Sequence, residues 1–434
     1  MPEIVILGAR DFAMKIFIIG GGGREHALAW KIRLDDPGAV IFCAPGNAGT
    51  AAIASNVPIQ AEDVEGLMAW AENEKPDLTV VGPEAPLCLG LADRMQAEGL
   101  RVFGPARDAA RLEGSKAFAK EILQAAQVPT AAAEAFSDEG SAMDFVRSHP
   151  PPLVIKADGL AAGKGVVICK TLPEAENAIR RMMTEKIFGS AGRQVLVEEF
   201  LEGEEVSALA FVDGKSAVLL PTARDHKRAF DGDLGPNTGG MGAYSPAPSE
   251  TRAFLARVLK DVFEPTIREL SSRGICYRGV LYAGLMLTKS GPKVLEFNCR
   301  FGDPETQAIL PRLDGSLVAA MEACIDGQLR PEHGACRAES CACVVMAAGG
   351  YPGSYKKGDV ISGLEAAAKL AGVMIFHAGT KLDNNRPVTA GGRVLGVTAL
   401  GEKLKTAGAR AYEAAALIKF NGAHYRRDIA SSGF

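Results

Sequence analysis

The sequence predicts an α/β plus α+β protein: a parallel α/β unit first, a middle of antiparallel strands, and a small α+β unit last. Three observations carry this. Up to about Arg111, apolar runs of strand length ending in Gly or Pro alternate with stretches of helical period, the pattern of a buried parallel sheet. From Leu153 onward, β-like runs follow one another through small-residue turns, as in hairpins. At 434 residues the chain is long enough for about three domains of ~150 residues.

KIFIIG (Lys15–Gly20) is the first expected strand and runs into four glycines. REHALAWKIR follows at helical spacing, then AVIFCAPGN, DLTVVGPE, a helix expected from Leu87 to Glu98, and RVFGP. Open α/β sheets take ligands at the strands' carboxyl ends, so this unit, residues 14–114, is expected to bind a nucleotide or phosphosugar. LVIKADGLAAGKGVVICK reads as two strands around a small-residue tip. A TLPEAENAIRRMM helix, QVLVEEFL, EVSALAFVDGKSAVLL and a polar Gly/Asn-rich segment follow. After them come a helix from Arg252 to Leu270, VLYAGLML, a turn at Lys289–Pro292 and KVLEFNCRFGDPE. This middle is expected over 115–328, with a subdomain at about 130–200. A third unit, over 335–434, contains CACVVMAAGGYPG, MIFHAGTKL, GGRVLGVTALG and a final helix. Met1–Ala13, ahead of Met14, is an extension of uncertain origin that carries no functional weight.

Lys and Arg number 48 against 52 Asp and Glu, a net charge of −4, with no footprint for nucleic acid. The start lacks a secretory pattern and no uncharged apolar run reaches the ~18 residues of a membrane helix. A cytoplasmic protein with no nucleic-acid or membrane partner is expected, as a monomer or weak dimer. Cysteines number nine, with no CxxC pair. Cys341 and Cys343 lie in a strand-like run, on one face, and are expected to be buried and structural rather than zinc ligands.

The residues that can do chemistry cluster. Gly20–Glu25 departs from G-x-G-x-x-G at its sixth position, which excludes a dinucleotide fingerprint. Glycines between a strand and a helix start still suit an anion. Ala157–Gly165 is a small-residue loop with one cation, Lys164, able to close over phosphates; it lacks the order of a P-loop. Lys156, inside the strand before it, needs an anionic partner. Glu198-Glu199-Phe200-Leu201 can offer backbone groups to an adenine edge, or be a charged strand end. Glu296 and Asn298 share one strand face and suit hard Mg²⁺; Arg300 extends that face toward Phe301–Glu305. Asp225–Arg228 and Asn237–Gly242 form a long polar stretch of the functional kind, in which His226 is expected to make an ordinary polar contact. The set describes an ATP-dependent ligase better than a kinase or dehydrogenase.

GGREHALAWK, APGNAGT, VGPEAPL, LEGSKAF, IKADGLAAGKGV, EEFLEGEE, DHKR, GPNTGGMGAYSPAP, YAGLM and EFNCRFGDPETQ together resemble the phosphoribosylamine–glycine ligases of the ATP-grasp superfamily, from Met14 to about Asp428. RFGDPE with GPNTGGMG is particular to these ligases. The resemblance implies ATP-grasp lobes with a mobile lid, and a reaction in which ATP phosphorylates glycine before the amine of 5-phosphoribosylamine attacks. It implies that Lys116 and Lys156 contact ATP phosphates, with Gly163-Lys164-Gly165 as lid. Glu198, Glu199, Phe200 and Leu201 would hold adenine and Glu205 the ribose, while Arg228 and Asn237 would contact nucleotide phosphates. Glu296 and Asn298 would hold Mg²⁺ or Mn²⁺, and Arg300 would stabilise the acyl phosphate or hold the glycine carboxylate. Lys227 and Asp225 are further catalytic candidates, on the phosphoribosylamine side. Gly22, Gly23, Asn47, Glu84 and Asp303 are candidates for binding phosphoribosylamine and glycine. The family often has Asn where Gly21 stands, and nothing after the third unit suggests a fused second enzyme. The alternatives are another ATP-grasp carboxylate–amine ligase with a different acceptor, and a catalytically silent nucleotide-binding protein. The latter would be expected to lose some of Lys156, Glu296, Asn298 and Arg300.

Overall fold

The computed structural model describes residues 13–161 and 164–431. Most of the Met1–Ala13 extension and Gly163 of the expected lid lie outside them. KIFIIG forms the strand Lys15–Gly20, and Ile16 to Ile19 are fully buried. It is the centre of a five-stranded sheet in the spatial order Ser55–Asn56, Val40–Pro45, Lys15–Gly20, Leu78–Val81, Val102–Phe103, parallel throughout. The order reverses at Lys15–Gly20, so the crevice that doubly wound sheets offer to ligands opens between the carboxyl ends of that strand and Leu78–Val81. The helix expected from Leu87 to Glu98 is instead two, Glu84–Cys88 and Leu91–Ala97. Gly90 divides them at φ +85°, in the left-handed region that glycine enters without a Cβ penalty.

Two antiparallel sheets follow. The first has the order Ala133–Phe136, Val195–Glu199, Leu153–Ala157, Val166–Cys169. The apolar faces of the helices Glu139–Ser148 and Leu172–Met183 pack on it. The second has the order Ala217–Leu219, Glu204–Asp213, Arg278–Thr288, Gly291–Asn298, with Gly284 opposite Glu296. The single helix expected from Arg252 to Leu270 contains a π-helical segment, Leu259–Phe263, between Arg252–Val258 and Glu264–Ser272. Pro265 enters there and has no N–H to give to the regular ladder.

The last sheet departs most from expectation. Its order is Arg224–Asp225, Gly242–Ser245, Ser340–Ala347, Arg393–Gly401, Val373–His377. Two of its strands come from the polar stretch far upstream, which has no apolar run to announce them. Between those two, Arg228–Phe230 and Leu234–Asn237 form a hairpin. MIFHAGTKL likewise divides at Gly379, its second half pairing in a separate hairpin, Thr380–Asp383 with Arg386–Thr389. Cys341 and Cys343 are buried in one small cluster with Ala243 and Ala308. All nine cysteines are unpaired, and no three metal-ligating side chains gather among the described residues. No helix among the described residues is long and apolar enough to cross a membrane.

Candidate active site

The strand lysine finds its anion across the sheet. Lys156 Nζ lies 2.9 Å from Glu198 Oε2 on the neighbouring strand and donates to the carbonyl of Leu295 at 3.0 Å, which joins the two antiparallel sheets. Lys120, one turn after Lys116 on the helix Lys116–Ala125, stands 3.4 Å from the other Glu198 oxygen and donates to Thr130 Oγ1 and the Ala131 carbonyl. Burial brings Lys120 down to about 8, against the pull of Glu198. Glu198 is therefore a buried counter-ion for two cations. The backbone of Glu199 is spent on the sheet, its N–H going to Ala132 O at 3.0 Å, and its carboxylate pairs with Lys293 at 2.9 Å. Of the four residues read as an adenine edge, Phe200 and Leu201 follow the strand's end and lie outside its ladder.

Lys116 donates to Gly159 O at 3.2 Å. The Asp158 carboxylate accepts from Ala117 N at 2.7 Å and from Ser115 Oγ, which fixes the start of the Lys116 helix to the loop after Lys156. Gly165 O accepts from Ala157 N at 2.8 Å, closing the base of that loop, while Lys164 beside it is exposed.

Glu296 and Asn298 stand on one face of Gly291–Asn298, with Phe297 buried on the other. Burial pushes the Glu296 carboxyl up, but Lys227, Lys156, Lys116 and Arg300 together outweigh it and hold the group below the usual range. Lys227 reaches Glu205 at 2.8 Å; Glu205, Glu296 and Asp225 keep its ammonium charged in spite of burial. Glu205, read as a ribose contact, is thus paired. Arg300 is more heavily committed than expected: Nη2 meets Glu113 Oε1 at 2.8 Å and Asn298 Oδ1 at 3.1 Å, Nε meets Glu84 at 3.1 Å, and Nη1 meets the Phe301 carbonyl. Glu113 also accepts from the Cys299 N–H at 2.8 Å and from its thiol. Glu84, read as a substrate contact, begins the helix at the carboxyl end of Leu78–Val81 and is turned onto Arg300.

A second cluster is built around Asp303. A Cβ placed on Gly22 would lie 3.3 Å from Asp303 Oδ2, and one on Gly23 would strike Gln307 Nε2, so glycines let the first turn close on RFGDPE. Gln307 donates to Asp303 at 2.9 Å. Burial pushes the Asp303 carboxyl up, but Arg393 and Arg24 prevail and hold it below the usual range. The anion expected at the glycine turn is the chain's own: Gly22 N–H donates to Glu25 Oε2 at 2.6 Å, and Arg24 Nε meets the other Glu25 oxygen at 2.6 Å. Asn47 is also spent internally. Its amide N–H groups go to Gly21 O at 3.0 Å and His377 O at 2.8 Å, and its oxygen accepts from Gly49 and Thr50, so it fastens the turn.

Asp225 lies near Pro304, both meeting the space a Cβ on Gly240 would take, and burial together with Glu305 pushes its carboxyl well up. Arg228 and Asn237 pair across their hairpin, with Arg228 Nη1 on Gly235 O at 2.8 Å. His226, read as a polar contact, is buried with its Nδ1 unpartnered among the described residues and its ring packed on Tyr244. Burial lowers it to about 4, so the ring is neutral.

Lys120, Glu113 and Arg393 were missed by sequence reasoning. Lys120 had a local signal, its i+4 spacing from Lys116. Glu113 and Arg393 had none, since Glu113 acts across 186 residues of chain and Arg393 across 90 and 154, from another unit.

Two antiparallel sheets joined at a cation-lined seam around a Glu-x-Asn pair, beside a parallel α/β unit, define an ATP-dependent ligase of the ATP-grasp class. The family models for phosphoribosylglycinamide synthetase match in chain order: the N domain at 14–113, the ATP-grasp (A) domain at 114–306 and the C domain at 341–432. The chain belongs to the phosphoribosylamine–glycine ligase family. It is 51% identical to the phosphoribosylamine–glycine ligase of Vibrio cholerae and 52% identical to that of Pseudomonas aeruginosa, over 96% of this chain and 97% of each relative. The crystal structure of the Thermotoga maritima phosphoribosylamine–glycine ligase superposes with a TM-score of 0.84 at 35% identity, covering 96% of this chain and 100% of that one. The biotin carboxylase of Campylobacter jejuni, at 14% identity, TM-score 0.75 and coverage of 95% of this chain and 92% of that one, shares the fold.

Proposed function

We propose that the chain joins glycine to 5-phosphoribosylamine at the expense of ATP, giving glycinamide ribonucleotide, ADP and phosphate. A glycine carboxylate oxygen attacks the γ-phosphorus and ADP leaves. The amine of phosphoribosylamine then attacks the carbonyl carbon of the glycyl phosphate, losing a proton as phosphate departs. The observation that carries this reading is the gathering of Lys116, Lys156, Lys227 and Arg300 around Glu296, with a second polar cluster where Asp303 meets the glycine turn.

Phosphoryl transfer spreads negative charge over oxygens and needs cations in fixed positions more than a protein nucleophile. Lys116 and Lys156 would receive the ATP phosphates, with Lys164 closing from its loop and Arg228 and Asn237 from their hairpin. Phe200 and Leu201 would face adenine. Arg300 would take the glycine carboxylate and then the acyl phosphate. The carboxylate of Glu296 and amide oxygen of Asn298 fit a hard divalent cation, Mg²⁺ or Mn²⁺, which would supply further charge neutralisation at the phosphates. Asp303, Gly22 and Gly23 would border the phosphoribosylamine, with Lys227 and Asp225 opposite.

The test is ADP release with Mg-ATP, glycine and freshly made 5-phosphoribosylamine, each omitted in turn. Turnover requiring all three and lost in Glu296→Ala is expected. Turnover with a different amine acceptor would overturn the acceptor assignment, and no turnover with any combination would overturn the ligase reading.

A further inference from the structure

Arg393 starts the strand Arg393–Gly401 in the last sheet, yet its side chain works outside that sheet. Nη1 donates to Gly239 O and, at 2.7 Å, to Asp303 O. The same nitrogen lies 3.4 Å from the Asp303 carboxylate. Tyr351, also in the last unit, accepts the Gly239 N–H at 3.1 Å. The glycines are shaped to this contact: a Cβ on Gly239 would sit 3.0 Å from the Arg393 guanidinium carbon. One on Gly240, which lies at φ +108°, would meet Pro304 and Asp225. Asp303 in turn abuts Gly22. One guanidinium therefore ties together the Gly239–Gly240 turn, the RFGDPE turn and, through Asp303, the first glycine turn. Its neutral contacts are backbone carbonyls, which fix position without themselves bearing charge, and its ion-pair partner among the described residues is Asp303.

We propose that Arg393 is a positioning residue for the amine acceptor: it sets Asp303 and the Gly239–Gly240 turn, so that the last unit completes the acceptor pocket while the nucleotide seam is left as it is. The inference rests on the ligase reading above, because the acceptor it concerns is a phosphorylated ribosylamine. All of these contacts converge on the single nitrogen Nη1, so Lys at 393 keeps the charge and three N–H donors but sets them on a shorter, flexible stem in place of a fixed plane.

The experiment is steady-state kinetics of Arg393→Ala, Arg393→Lys and Tyr351→Phe with each substrate varied, together with ADP affinity by titration calorimetry and thermal melting. Arg393→Ala is expected to raise KM for phosphoribosylamine by about tenfold or more, as loss of a charge-assisted contact does. KM for ATP and glycine and the affinity for ADP should stay within about twofold. Arg393→Lys should fall between Ala and the parent, and Tyr351→Phe should raise the same KM by a smaller factor. A parallel rise in KM for ATP, or an unchanged KM for phosphoribosylamine, would overturn the proposal. If Arg393→Ala fails to fold, the other two variants decide: parental KM for phosphoribosylamine in both overturns it. Absence of phosphoribosylamine turnover in the parent protein would instead sink the ligase reading itself.

Discussion

Arg300 is shared between two carboxylates of unlike burial. Glu113 has a side chain 8% exposed, while that of Glu84 is 27% exposed. Water compensates the loss of Glu84, but loss of Glu113 leaves a buried guanidinium and the Cys299 N–H without their acceptor. Glu113→Gln is expected to lower kcat by about tenfold or more and Glu84→Gln by less, while Glu113→Ala also destabilises the fold by about 3 kcal/mol. ADP-release kinetics and a urea titration check both halves. At this scale the sequence was legible where a residue's need is local. Lys156 inside an apolar strand needs an anion, and one is there. That the anion is Glu198, which was read as part of an adenine edge, depends on a strand pairing that places Lys156 opposite Leu196. No spacing within either segment carries that register. The internal partners of Asn47 and Glu205 were illegible for the same reason, since a polar side chain in a motif says nothing of the backbone and charged groups that the fold brings to it.

Element junctions carry their own liabilities. The helix Gly23–Asp35 and the strand Val373–His377 meet where two imidazoles lie edge to face, with the backbone N–H of His377 donated to His26 Nδ1 at 2.8 Å. That bond requires an unprotonated Nδ1. Burial, with His377 adding a smaller effect, lowers His26 from 6.5 to about 3, and burial lowers His377 to about 4. An unfolded chain takes up these protons below about pH 6.5, before the folded one does. Stability is therefore complete above that pH and falls as the pH drops toward 4, by roughly 1.4 kcal/mol per unit for each such ring. Urea midpoints at pH 7.5, 6.0 and 5.0 should decline, and His377→Gln should flatten the decline; equal midpoints would refute neutral burial. A second junction is Gly90, where Gly90→Ala places a Cβ on a residue at φ +85° and is expected to cost about 1 kcal/mol, read from the same titration. Apolar period announced the helix on either side of this break but not the break itself, because Gly inside a helical pattern is equally compatible with an unbroken helix.

Across the whole molecule, the parallel sheet and both sheets of the middle follow apolar runs that local patterning displays, except at the edge strands Ser55–Asn56 and Ala133–Phe136, which have none. The last sheet does not. Gly242–Ser245 pairs with Ser340–Ala347, and together with Arg224–Asp225 it places upstream chain in the downstream unit. A chain ending at residue 335 would expose the unpaired edge of Gly242–Ser245, and residues 336–431 alone would lack two of five strands. Neither piece is expected to give the dispersed amide spectrum of a folded protein, whereas the two expressed together should associate. A well-dispersed spectrum from either piece alone would refute this.

The same pairing has a consequence for synthesis. About a hundred residues separate the two strands, so at ~5–20 residues per second Gly242–Ser245 emerges from the ribosome roughly 5–20 s before its partner exists. A conventional apolar strand kept waiting that long would be an invitation to pair with neighbouring nascent chains. GPNTGGMGAYSPAP, with its glycines, prolines and a single methionine among small polar residues, is poorly equipped to do so. The composition that hides these strands from a reader of the sequence also hides them from other chains until the right one is made.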